Sequence, residues 1–446
     1  MKLAEYIPYY RRNLRIAFPV MLTQLGAALV GLIDSVMVGH YSTADLAGVS
    51  FANGIFFTVM VFTTGAVMGV TPLVGHAFVQ KNYQQVSSLL RNGWDFTCLL
   101  TLFGCLILAA AIPFLGHMGQ EPDVVQAARP YYITRAVGLI PFMLFCLSKQ
   151  FLEGLGNTLV AMLITTVCNL LNIALNYVFI FGHFGLPALG AYGAGIASLI
   201  ACSLMAVCFL LAMLCHSPWR RYLLGAIRHG RSTSTQLRDL AKVGLPIGMQ
   251  TFVEAFIFTL SFIMVGWLGK EAQAAHMVSN QVADLTFMLA LGIGAATTIR
   301  VSHQYGLHDY HAMKMAARAS VHLVLLMNAT GAALMISLRN YIPLLFSNDP
   351  EVIQIVSRLL IYAAIFQFSD GLQCVGAASL RGITDVRRPM VYAFISYIVI
   401  ALPFGYFTMF TAGLGVDGMW LSFILALALA AIFFHVRFWR ITRNMN

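Results

Sequence analysis

The chain has 446 residues, 59% of them hydrophobic and only 10% charged, with a mean hydropathy of +0.79. A soluble domain is typically about 25% charged, so a string of soluble domains is excluded. The 27 basic and 17 acidic residues leave a net charge of +10, but the bases sit between long apolar runs; they read as topology signals at an anionic membrane surface, and no nucleic-acid partner is expected.

A bilayer core about 30 Å thick takes roughly 20 apolar residues per helix. Apolar runs bounded by charge, Gly or Pro predict twelve spans in an all-α membrane protein. Six lie near 15–39, 48–76, 92–116, 129–150, 160–182 and 191–214. Six more lie near 243–267, 279–301, 318–346, 355–380, 389–412 and 415–438. The run at 318–346 is long enough to hide a break. The opening segment carries Lys2, Arg11, Arg12 and Arg15 ahead of an apolar run too long for a cleavable signal, so the first helix is expected to be retained. The eight cysteines fall in or at the ends of apolar stretches without metal-ligand spacing and read as buried free thiols.

Basic residues fix an orientation. Of the 27 Lys and Arg, 22 fall on one side of the predicted spans, and only Arg129, Arg135, Lys270, Arg339 and Arg358 fall on the other. That bias predicts cytoplasmic termini and an even number of spans. The one long polar connector, 215–242, carries the stretch Arg231-Ser-Thr-Ser-Thr235 and divides the chain into a six-helix lobe at 1–214, a cytoplasmic linker and a second lobe at 243–446.

The two lobes repeat. A shift of 227 residues aligns them without gaps over about 75 positions, bringing Pro19 onto Pro246, Asn53 onto Asn280, Gly65 onto Gly292, His76 onto His303, Tyr83 onto Tyr310 and Arg91 onto Arg318. Shared membrane composition explains matching Leu or Ala, but not His, Pro, Asn, Tyr and Arg in one register. Six spans per unit means both enter the membrane in the same sense. The expected relation is a pseudo-twofold axis along the membrane normal, as in transporters whose halves rock about a central site.

A charge at mid-bilayer costs about 2.5–3.5 kcal/mol even on the lenient insertion scale. Three carboxylates stand there: Asp34 in the first span, Glu254 in the seventh and Asp370 in the tenth. Neither Glu254 nor Asp370 has a strong charge near it in its own helix. Each is either a functional acid or a protonated, packed one. Glu254 and Asp370 can share a pocket that holds a proton or, when ionised, attracts a cation. Asn172 and Asn176 lie four apart on one helical face of the fifth span. Their amides suit a hard cation, and they equally suit interhelical hydrogen bonding. Ser198, taken alone, reads as a small packing residue. Asp284, Asp95 and Glu153 read as span-end acids. The histidines are scattered or loop-bound, with His76 and His303 at equivalent span ends in an architectural or gating role. No Walker A, His-Glu-x-x-His, Gly-x-Ser-x-Gly or Rossmann pattern occurs. The chain therefore does not read as an enzyme, and transport without an ATP site must draw on an ion gradient.

Several motifs together resemble the multidrug and toxic compound extrusion (MATE) family, in its NorM-like branch, over residues 10 to 440. They are Leu32-Ile-Asp-Ser-Val-Met-Val-Gly39, Glu254 in its seventh-span setting, Thr298-Ile-Arg-Val-Ser-His303, and Asp370 followed by Ala378-Ser-Leu-Arg-Gly382. The resemblance implies two six-helix lobes around a V-shaped cavity and export of organic cations such as drugs or dyes in antiport with Na⁺ or H⁺. It also implies a bacterial inner-membrane location. No cofactor is implied, and a monomer is expected. It maps one cation site onto Glu254 and Asp370, and another onto Asp34, Asn172, Asn176 and Ser198. Ser198 stands where related members often carry Thr, Asn176 where some carry Asp, and Phe366 where some NorM-type members carry Tyr. Gln281, Phe287 and Phe366 match cavity-lining positions. The alternative is a lipid-linked oligosaccharide flippase of the same superfamily, which would line its cavity with Arg and Lys to hold pyrophosphate.

Overall fold

The computed structural model describes residues 3–228 and 234–445. Lys2 and residues 231–233 of the Ser/Thr-rich stretch lie outside the described residues. Among the described residues, twelve helices are long and apolar enough to cross a membrane, and there is no strand. Spans 1 to 6 are Ile7–Tyr41, Thr43–Val79, Tyr83–His117, Pro122–Gly154, Leu159–Phe181 and Gly190–Cys215. Spans 7 to 12 are Ser234–Gly266, Lys270–Gly306, Tyr310–Leu338, Pro350–Gly382, Arg387–Thr411 and Val416–Arg443.

All twelve expected spans are present, and most overshoot their apolar windows. Span 7 starts at Ser234, and its 33 residues are about 50 Å long at 1.5 Å per residue, well beyond a ~30 Å core. Continuing the helix through polar residues keeps main-chain groups paired at the interface. Span 9 is as long as its window but lies eight residues earlier. It ends at Leu338, and Ile342–Leu345 is a separate 3₁₀ turn with Pro343 as its second residue. The connector is more structured than its polarity implied. Ser217–Arg228 is a helix burying Trp219, Tyr222, Leu223 and Ala226 along one face, with Arg220, Arg221 and Arg228 exposed. Tyr222 stacks on Tyr83 at 5.9 Å. All eight cysteines are free, but only Cys168 is buried; Cys98 and Cys215 are exposed and the other five half-buried.

Proline shapes two spans. Span 2 breaks between Val67 and Val70, because Pro72 has no N–H for the Met68 carbonyl. In span 11, Pro403 sits between two π-helical stretches, Ile395–Ala401 and Phe407–Thr411, whose wider turns absorb the missing donor.

The helices form two compact units. The amino-terminal unit is Leu22–Gly248, and the carboxy-terminal unit is Met1–Met21 with Met249–Asn446. Both divisions fall two residues after a helical proline, Pro19 and Pro246, at equivalent points of the repeat. The opening turns of span 7 thus pack in the amino-terminal unit. A Cβ on Gly69 of span 2 would lie 2.9 Å from the Gly244 backbone, so two glycines permit that approach. The opening turns of span 1 pack in the carboxy-terminal unit, where Asn13 Nδ2 donates to Ala316 O at 3.0 Å and Ser320 Oγ at 2.9 Å.

Backbone detail repeats with the sequence. Lys81 (φ 56°) and His308 (φ 59°) both take the left-handed conformation, 227 residues apart. The next residues, Asn82 and Asp309, cap spans 3 and 9 by accepting from Gln85 N (3.1 Å) and Ala312 N (2.9 Å). Spans 4 and 10 are both 33 residues long and start Pro-Asp-Val-Val-Gln126 and Pro-Glu-Val-Ile-Gln354, so the register has moved to 228. Outward faces are apolar: Leu99, Leu102, Phe103 and Leu106 of span 3 are all more than half exposed, while Leu100, Gly104 and Leu108 behind them are buried. An exposed apolar stripe of that length suits lipid.

Candidate functional site

Each unit carries an acid within its spans. In the amino-terminal unit, Asp34 is half-buried on span 1, while Asn172 and Asn176 are buried on span 5. Their four-residue spacing stacks the amides, and Asn176 Nδ2 donates to Asp34 Oδ1 at 2.5 Å and to Asn172 Oδ1 at 3.2 Å. Asn176 Oδ1 is left buried without a partner among the described residues. Three side-chain oxygen donors of this kind fit a hard cation. Ser198 instead lines a cavity of about 50 Å³ with Phe56, Met60, Thr134 and Arg135.

Arg135 departs from the sequence expectation. Counted there as a base on the outer side, it stands thirteen residues into span 4, about 20 Å along the helix. Its guanidinium lies 4.4 Å from the Phe56 ring centroid, its Nε is buried without a hydrogen-bond partner, and its charge acts on Asp34. It therefore does not belong in the topology tally.

The carboxy-terminal unit gathers more acid. Glu254 of span 7 accepts hydrogen bonds from Gln373 of span 10 and, at 3.0 Å, from the Tyr397 hydroxyl of span 11. Tyr397 lies in the first π-helical stretch, before Pro403. Asp370 lies one turn before Gln373 and is buried, and the charges of both Glu254 and Asp284 act on it. Arg381, whose Nε is buried and unpartnered, supplies the opposing charge at Glu254.

Sequence reading missed Asp284, Gln373 and Tyr397. Asp284 was read as a span-end acid from a window starting at 279, but span 8 begins at Lys270 and puts it fourteen residues in. Gln281 and Asp284, three apart, are both exposed on that helix, and Phe287 is half-buried. Phe366 departs from its expected cavity-lining place. It is 4% exposed, packed edge-on to Trp420 and Phe258 in the aromatic core. His276 is also no loop residue: it is fully buried, within hydrogen-bond distance of Ser261 at 3.2 Å and Asn280 at 3.1 Å. Among the described residues, no group of three His, Cys, Asp or Glu could hold a metal ion.

The comparisons follow the same two-part division. The MatE family profile matches twice, at residues 19–178 and 246–407, each copy opening on one of the equivalent prolines. The chain is 31% identical over 425 residues to the probable multidrug resistance protein NorM of Bacillus subtilis (strain 168), covering 95% of this chain and 93% of that protein. In fold it is similar to an outward-facing multidrug resistance MATE transporter of the MOP superfamily, with a TM-score of 0.89, 18% identity and coverage of 98% and 96%. The eukaryotic MATE transporter AtDTX14 gives a TM-score of 0.87 at 17% identity, over 99% of this chain and 98% of that one. With twelve spanning helices, the repeated unit and both family matches in place, this chain belongs to the MATE family of multi-pass membrane transporters.

Proposed function

We propose that the chain is a secondary active exporter of organic cations, driven by inward movement of Na⁺ or H⁺ and working by alternating access. The single observation carrying this reading is the pair of acids within the spans of one unit, Glu254 held by Tyr397 and Gln373, and Asp370 buried one turn before Gln373. Acids this deep in a membrane are costly unless they handle a cation or proton. The Bacillus relative carries a multidrug resistance name, which agrees with an organic cation as cargo.

Competition supplies the coupling. Cargo and inward-moving cation both neutralise the same carboxyls, so occupancy by one lowers affinity for the other by the same factor in each direction. A conformational change that exposes the acids to opposite sides of the membrane then exchanges the two. The basic bias places both termini in the cytoplasm, with the membrane being a bacterial inner membrane and one chain sufficing.

Against a flippase of lipid-linked oligosaccharides stands the charge of the carboxy-terminal pocket, where acids outnumber the one nearby arginine. Drug and dye susceptibility of an efflux-deficient bacterial strain expressing the chain, with and without Na⁺, tests the reading. Raised tolerance to cationic dyes is expected, and unchanged tolerance to every cation offered would count against it.

A further inference from the structure

Nine spans precede the connector between Leu338 and Pro350, so it lies on the side of the membrane opposite both termini. With Arg135 set apart, that side keeps only Arg129, Lys270, Arg339 and Arg358. Arg339 and Arg358 line one cavity of about 610 Å³, together with Asn340, Gln354 and Ser357, and no acid is among its lining residues. Small-molecule sites run from about 300 to 1,000 Å³, so the space is ample for a ligand. Ser357 Oγ donates to Asn340 Oδ1 at 2.8 Å, which ties the connector to span 10 and leaves the Asn340 amide nitrogen as a donor. Arg358 Nε donates to Asp417 Oδ1 at 3.0 Å. The two terminal nitrogens of Arg358 and the whole Arg339 guanidinium have no partner among the described residues.

We propose that this cavity binds the phosphate of an anionic phospholipid headgroup. Two guanidiniums less the Asp417 carboxylate leave one positive charge, which a single phosphodiester matches. Planar guanidinium forks suit phosphate oxygens, and a headgroup ammonium would put a positive charge back beside both arginines. Depth agrees with a headgroup. Span 10 is about 50 Å long and, centred on a ~30 Å core, overhangs it by about 10 Å at each end. Arg358 stands eight residues in, about 12 Å from the helix start, and so at the edge of the hydrocarbon. Beside the cations lies a surface for acyl chains. Tyr341, Leu344, Leu345 and Phe346 follow Asn340 and are all exposed, Leu345 at 82%. An apolar patch of that kind suits lipid, and a tyrosine suits the interface. The fold itself does not require the two bases. Across the repeat Arg339 falls on Ile112, and in the later register of 228 Arg358 falls on Pro130.

The test is saturation binding of tritiated dioctanoyl phosphatidylglycerol to the purified full chain, in a neutral detergent at fixed ionic strength. The readout is independent of what the protein exports. Arg339 has no partner to orphan, so Arg339→Gln is the principal variant and should weaken one site per chain about tenfold. Arg358→Gln combined with Asp417→Asn removes that ion pair whole, and it should weaken the same site several-fold. Arg129→Gln takes away a base on the same side but outside the cavity, and it should leave binding unchanged. Two competitors separate the headgroup from its parts. Dioctanoyl phosphatidylcholine has the same tails and no net charge; inorganic phosphate has the anion and no tails. Each should need about tenfold more than unlabelled phosphatidylglycerol to displace the probe. Wild-type affinity and site number in both cavity variants would overturn the proposal, as would an equal loss from Arg129→Gln. Displacement by phosphatidylcholine or by inorganic phosphate as readily as by phosphatidylglycerol would overturn it too, the latter marking a site for a free anion.

Discussion

The two units share a scaffold and differ in what they bury. Their caps, left-handed residues and helix starts match position for position at a shift of 227 or 228. Their acids do not. Asp34 falls on Ser261 across the repeat, and Glu254 falls on Ala27. The amino-terminal unit holds one acid, Asp34, on the amide of Asn176, whereas the carboxy-terminal unit holds Glu254 on Gln373 and Tyr397 and buries Asp370 one turn from Gln373. Duplication thus supplied a fold that can be built twice, and divergence of a few residues within the spans gave one copy a single acid and the other a pair.

The largest effects should come from the unit with two acids. Glu254→Gln and Asp370→Asn keep shape and remove the ionisable group, and each should abolish gradient-driven dye export while leaving membrane expression at the wild-type level, as judged by immunoblot of isolated membranes. In the other unit, Asp34→Asn should lower export several-fold without abolishing it. Equal loss at Asp34 and Glu254 would erase the functional difference between units. A smaller change is expected for Tyr397→Phe, which takes one hydrogen bond from Glu254 and leaves Gln373 in place. Hydrogen bonds to charged groups are worth ~1.5–3 kcal/mol, but with one donor left in place a few-fold fall in transport rate is expected, visible as a changed dye-efflux time course. The smallest effect tests the shared scaffold. Asn82→Ala and Asp309→Ala each remove one helix cap and should each cost about 1 kcal/mol, read as similar small falls in the melting temperature of the purified protein.

Much of the fold was legible in the sequence because bilayer thickness and the need to pair main-chain groups leave few choices. The spans, the repeat and the prolines at 19 and 246 came from patterns of that kind. The helix ends were not legible, since polar residues continue a helix at the interface as readily as they end it, and Asp284 was misplaced for that reason. The candidate acids Asp34, Glu254 and Asp370 stood out by cost alone. Their partners did not. Gln373 and Tyr397 are ordinary polar residues in apolar helices, distinguished only by which helix face meets Glu254. Arg135 was hidden in a count of bases by side, which treats every arginine as lying at a membrane surface. A run that stays apolar on both sides of an arginine, as 136–147 and 131–133 do here, was the available signal.

The claim that the carboxy-terminal pocket carries the coupling is tested most directly by dye efflux under an imposed proton or sodium gradient. The Glu254→Gln/Asp370→Asn double variant, Asp34→Asn and the wild type are compared in one vesicle preparation. The account predicts that the double variant loses the whole gradient-dependent component and that Asp34→Asn retains a part of it. Wild-type rates from the double variant would contradict it.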